Sequence, residues 1–62
     1  MNADLRTEYR RGLAEGRHQR AAFTAKLRRR QIIGLRSLST RDRRYPLARA
    51  YTLGTLRGLR GS

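Results

Sequence analysis

Apolar residues recur at helical spacing along the first two thirds of the chain. Plotted at about 100° per residue, Leu5, Tyr9, Gly12, Leu13, Gly16, Phe23, Leu27, Gly34 and Leu38 fall within one stripe. The pattern predicts a long helix over about residues 3–38, with Asn2 or Asp4 as its N-cap. Arg20 interrupts the stripe, and Gly16-Arg17-His18-Gln19 is its weakest helical stretch, so the helix is read as continuous or bent near Gly16. Ser37, Ser39 and Thr40 end the pattern, and Arg41-Asp42-Arg43-Arg44 forms a charged joint within residues 39–45. Pro46 then opens a second helix, because its fixed φ suits the first helical position and its missing N–H is not needed there. That helix runs over about 46–59 and leaves residues 60–62 as a frayed tail.

The expected fold class is therefore all-α. One small basic domain spans residues 1–62, a long helix followed by a shorter one, either closed as a hairpin or extended on a partner. Strand formers are sparse, with two Ile and no Val. Leu5, Tyr9, Leu13, Phe23, Leu27 and Leu38, with Tyr51 from the second helix, are the residues expected to form the core or to meet a partner.

Glycines complicate this picture. Gly12 and Gly16 are four apart, and Ala50, Gly54 and Gly58 continue the same spacing. Such small-residue ridges let two helix backbones approach closely, an arrangement best established in membranes. Each mid-helix glycine also costs about 1 kcal/mol against alanine. The propensity argument weighs toward these being frayed or broken positions.

Sixty-two residues bury only about 60% of their unfolded surface, so the core is small and stability marginal. The chain has no cysteine, and His18 alone cannot hold a metal; no cofactor is expected. The uncharged stretches Gln31–Leu35 and Ala50–Leu56 are far shorter than the roughly 20 residues of a membrane span. Met1-Asn2-Ala3-Asp4 does not begin a signal peptide, so a cytoplasmic location is expected.

Charge supplies the functional expectation. Sixteen Lys or Arg residues face four acidic ones, a formal net charge of +12, and fifteen of the sixteen are Arg. Arg over Lys favours an RNA or DNA contact surface and fits codon bias in a GC-rich genome equally well, but codon bias does not remove Asp and Glu. A compact chain carrying so much like charge repels itself, and a polyanion relieves that repulsion. Phosphate neutralisation by Arg releases condensed counterions whatever the base sequence. Along one continuous helix, Arg6, Arg10, Arg17 and Arg28 would line one flank of the apolar stripe, with Arg11, Arg29 and Arg36 on the other.

The leading expectation is a nucleic-acid-binding accessory protein that contacts RNA or DNA phosphates through Arg10, Arg11, Arg17, Arg20, Arg28, Arg29, Arg30, Arg43 and Arg44. In composition, Arg6–Arg30 resembles the arginine-rich RNA-binding helices of phage antitermination proteins, without a position-specific motif. The alternative is a regulator of phage or plasmid type that lays its basic helix into an acidic groove of a larger protein. A membrane-surface helix fits less well, because glycines stand where bulky anchors belong.

No catalytic constellation is visible. Asp4, Glu8, Glu15 and Asp42 sit beside Arg neighbours as local ion pairs, and nothing marks a nucleophile next to His18. Neither GxxxxGK[ST] nor GxGxxG occurs. An enzyme is not expected. Tyr45, beside Arg43-Arg44, offers either a stacking platform for a base or a ring packed over the joint.

Overall fold

The computed structural model describes residues 2–61. Among these the chain is all-α: α1 (Asn2–Ala22), α2 (Ala25–Arg41), a 3-10 turn over Asp42–Arg44, and α3 (Pro46–Arg60). Asn2 and Asp4 both lie inside α1, with Asp4 in its first turn, where a carboxylate suits the helix dipole. Ser62, the end of the expected tail, lies outside the described residues.

The expected single helix is two. The break falls at Phe23–Thr24 instead of near Gly16, and α1 runs unbroken through Gly16-Arg17-His18-Gln19. Thr24 explains the position: its extended backbone (φ −67°, ψ 164°) leaves the helix, and its Oγ1 accepts a hydrogen bond from the Leu27 N–H at 3.3 Å. Phe23 N–H still donates to the Gln19 carbonyl at 2.7 Å, so the chain turns within two residues. At the other end of α2, the joint expected over 39–45 is mostly helical. α2 continues to Arg41, and the Asp42 N–H donates to the Leu38 carbonyl.

α3 begins at Pro46 as the sequence predicts, with Arg49 N–H donating to the Tyr45 carbonyl at 2.9 Å. It is ordered through Arg60 rather than frayed there, and Gly61 closes it in the left-handed region at φ 82°.

Packing places the last helix in the middle. α3 packs extensively on α1 and more lightly on α2, so α1 and α2 flank it. Gly12 meets Tyr51 and Thr55, while Gly16 meets Thr55 and Gly58; partner numbers rise together along the two helices. α1 and α3 are therefore parallel, and α2 carries the chain back from the end of α1 to the start of α3.

The glycines expected to mark frayed positions are where these helices touch. A Cβ on Gly12 would stand 2.9 Å from Thr55 N and nearer still to the Tyr51 carbonyl oxygen. One on Gly54 would stand 2.9 Å from Leu13 N and nearer still to the Tyr9 carbonyl oxygen. Gly16 and Gly58 are blocked in the same way, each by backbone of the opposite helix. Close approach brings many weakly attracting atoms into contact along both backbones, which offsets the propensity lost at each glycine. The four-residue spacing of these glycines is the one known from membrane helix dimers. Among the described residues, no helix is long and apolar enough to cross one.

The core is correspondingly small. Leu56 and Leu59 are buried at 5% and 2% exposure, with Thr52 and Thr55 beside them. Both threonines satisfy their hydroxyls within the helix: Thr52 Oγ1 donates to the Ala48 carbonyl at 3.0 Å, and Thr55 Oγ1 to the Tyr51 carbonyl at 2.9 Å. Leu13, Phe23 and Tyr51 are half-buried, whereas Leu5, Tyr9, Leu27 and Leu38 remain exposed. The stripe traced across one helix therefore misplaces Leu27 and Leu38 as core residues, because the turn at Thr24 starts a new helix axis.

Gly34 is the exception among helical glycines. Nothing lies within 4 Å of a Cβ placed there. Gly34→Ala should therefore stabilise the fold by up to about 1 kcal/mol. Thermal melts followed by circular dichroism at fixed ionic strength check this; a lowered midpoint would mean that the α2 surface is not open at Gly34.

Candidate functional site

The charge of α1 is sorted by face. Asp4, Glu8 and Glu15 are spaced four and seven residues apart, and Arg6, Arg10 and Arg17 repeat that spacing two residues later. Two residues are about 200° on a helix, so carboxylates and guanidiniums stand on opposite flanks. The acidic flank satisfies itself locally. Arg11 Nη1 donates to Glu8 Oε1 at 2.9 Å, and Gln19 Nε2 to Glu15 Oε1 at 3.0 Å.

The basic flank borders the exposed side of α3, and two open cavities lie along this face. The first, of about 450 Å³, is lined by Leu5, Arg6, Tyr9 and Arg10 of α1, Pro46, Arg49, Ala50 and Leu53 of α3, and Arg43 of the 3-10 turn. Its lining is mostly apolar, and every charged residue in it is an arginine. The second, of about 600 Å³, lies toward the other end of the pair and is lined by Arg17, Arg20, Ala21, Arg28, Gly58 and Gly61. Neither lining includes a carboxylate.

Local structure sets each guanidinium in place. Arg6 and Arg10 are one turn apart on α1; Arg49 is one turn into α3, fixed by Pro46 and the bond from its N–H to Tyr45. Arg43 is carried in by the 3-10 turn, whose Tyr45 N–H donates to the Asp42 carbonyl at 2.9 Å. Arg28 comes to the second cavity because the turn at Thr24 brings α2 back beside the end of α1. Its Nε is buried and makes no hydrogen bond. Arg20 lies directly against Gly61, where a cation suits the C-terminal carbonyls of α3.

No family model, curated protein or solved structure matches this chain.

Of the nine arginines expected to bind, Arg10 and Arg43 line the first cavity and Arg17, Arg20 and Arg28 the second. The remaining four line neither. Arg11 pairs with Glu8, and Arg29 and Arg30 lie exposed on α2, as Arg44 does in the 3-10 turn. Arg28 is thus separated from Arg29 and Arg30, its neighbours in sequence. Two arginines that the sequence reading left out of the site, Arg6 and Arg49, also line the first cavity. Arg6 was discoverable from the matched spacing of acidic and basic residues on α1. Arg49 was discoverable from its place one turn before Leu53 on the exposed side of α3.

The aromatic residues are also redistributed. Tyr51 is half-buried in the α1–α3 contact, and Tyr45 is 64% exposed, so its ring does not pack over the joint. The aromatic ring at the first cavity belongs to Tyr9, which is 36% exposed.

Proposed function

We propose that the chain binds nucleic acid through the face shared by α1 and α3, with phosphates held by Arg6, Arg10, Arg43 and Arg49 at one cavity and by Arg17, Arg20 and Arg28 at the other. The observation that carries this reading is segregation: seven guanidiniums surround two cavities whose linings contain no carboxylate. A solvated surface that merely kept the chain soluble would have mixed charge. Arginine suits the task because its planar fork of donors matches phosphate oxygens in pairs. The protein would then serve as an accessory component of a ribonucleoprotein or transcription complex, its own charge neutralised by the bound strand.

Salt dependence is the direct test. With most of the seven arginines engaged, log affinity should fall linearly against log salt with a slope of about −0.9 per contact on duplex DNA and about −0.7 on a single strand. Between 50 and 200 mM salt, 6–7 contacts correspond to a loss of roughly 10³-fold or more. Fluorescence anisotropy titrations with labelled oligonucleotides measure it. A flat salt profile, or no binding at low salt, removes the reading and leaves capture by an acidic protein surface as the alternative.

A further inference from the structure

We infer that the first cavity receives one unpaired nucleobase, so that the protein discriminates strands containing an unstacked nucleotide from uninterrupted duplex. This rests on the nucleic-acid reading above and adds the ligand's chemistry. Phosphate binding alone needs only charge, and the second cavity supplies that with three arginines and two glycines. The first cavity differs in its lining. Leu5, Tyr9, Pro46, Ala50 and Leu53 give it apolar lining where the two parallel helices meet, and Arg6, Arg10, Arg43 and Arg49 line the same cavity. A mostly apolar lining that also carries four arginines matches a flat apolar body flanked by anions, and an extruded base between its two phosphates has that form.

The dimensions agree. About 450 Å³ lies within the range of pockets that take small organic ligands, roughly 300–1,000 Å³; the second cavity is no smaller, so the lining and not the volume separates the two. Tyr9 offers an accessible ring, and Arg side chains around it can lie against a base face as well as bind phosphate. A base inside a duplex cannot reach this lining, since its faces are covered by neighbours. A base at a bulge, loop or single strand is already free, and stacking on Tyr9 replaces the contacts it lacks.

The test compares the whole chain on a short duplex, the same duplex with one bulged 2-aminopurine, and the matching single strand, each as DNA and as RNA. The bulged and single strands should bind about 5- to 160-fold more tightly than the uninterrupted duplex, the range expected of one stacked base. The bulged 2-aminopurine should become shielded from acrylamide quenching. Tyr9→Ala should remove the preference and the shielding, Tyr9→Phe should keep both, and Leu53→Glu should abolish both by placing a carboxylate in the lining. Circular dichroism melts confirm that each variant is folded. The wild-type comparison needs no variant, so it decides the question even where one fails to fold. Preference in the RNA series alone would identify the ribose hydroxyl as part of the ligand, and preference in both series would assign recognition to base and phosphate. Equal affinity for duplex and bulge, with a steep salt slope, overturns the base pocket while leaving the phosphate reading intact. So does loss of the preference in Tyr45→Ala but not in Tyr9→Ala. Absence of binding to every strand at low salt overturns both.

Discussion

Gly54→Leu is expected to abolish cooperative folding. Already the first added atom would press on the backbone of α1, 2.9 Å from Leu13 N and closer to the Tyr9 carbonyl oxygen. Backbone cannot rotate aside as a side chain can, so the helices must separate. Separation opens the seam where Gly12, Gly16, Thr55 and Gly58 are buried, and few other described residues are buried at all. At 0.05–0.15 kcal/mol per residue a chain of this length holds about 3–9 kcal/mol of stability. Overpacking costs typically 1–3 kcal/mol where side chains can shift, and more where backbone blocks them. Circular dichroism should show a broad, weak loss of helix on heating in place of a cooperative transition, since isolated helices of 15–21 residues are marginal in water. Gly54→Ala should lower the midpoint part of the way. A Gly54→Leu chain that melted like the parent would refute the parallel glycine contact.

The second large effect concerns binding. Replacing Arg6, Arg10, Arg43 and Arg49 together by Gln removes every charge from the lining of the first cavity. Each phosphate contact contributes roughly a factor of 8 between 1 M and 0.1 M salt, the counterion slope of about 0.9 taken over one decade. Four contacts multiply to about 4 × 10³-fold at 0.1 M salt, with the slope shallower by about 3.6. The control removes three charges elsewhere. Arg29, Arg30 and Arg36 are exposed on α2 and line neither cavity, so their replacement by Gln should change affinity by less than about 10-fold. Equal losses in the two sets would mean that net charge, not its placement on the α1–α3 face, determines affinity. Neither set should weaken the fold, because removing like charge lowers self-repulsion and Gln retains helix propensity.

Much of the fold is legible in the chain because its strongest signals are local. Sparse strand formers and period-3.6 apolar spacing give the helical class, and Pro46 gives the start of α3 to the residue. The break between α1 and α2 is harder. Thr24 is one capping residue with no Glu or Gln three positions on, while Gly16 displays a larger propensity penalty that tertiary contact then offsets. Propensity scales describe a helix alone in water, and Gly12, Gly16, Gly54 and Gly58 are meaningful only in pairs. The candidate site divides along the same line. Clusters such as Arg28-Arg29-Arg30 stand out in sequence, yet the helix sends their members to different faces. Arg49, isolated in sequence, joins Arg6, Arg10 and Arg43 only because α1 and α3 run parallel.

The position of α3 between two helices that precede it has a consequence for how the chain is made. Gly12 is translated 43 residues before Thr55, which is about 2–9 s at 5–20 residues per second. Throughout that interval α1 has no surface against which to close its glycine face, and α2 offers it little contact. Closure of the α1 face therefore awaits α3, and the contact joins segments some forty residues apart, unlike the neighbour-to-neighbour contacts of ordinary helical bundles. Nascent chains halted before α3 emerges would hold only isolated, partly formed helices, and order would arrive in a single late step.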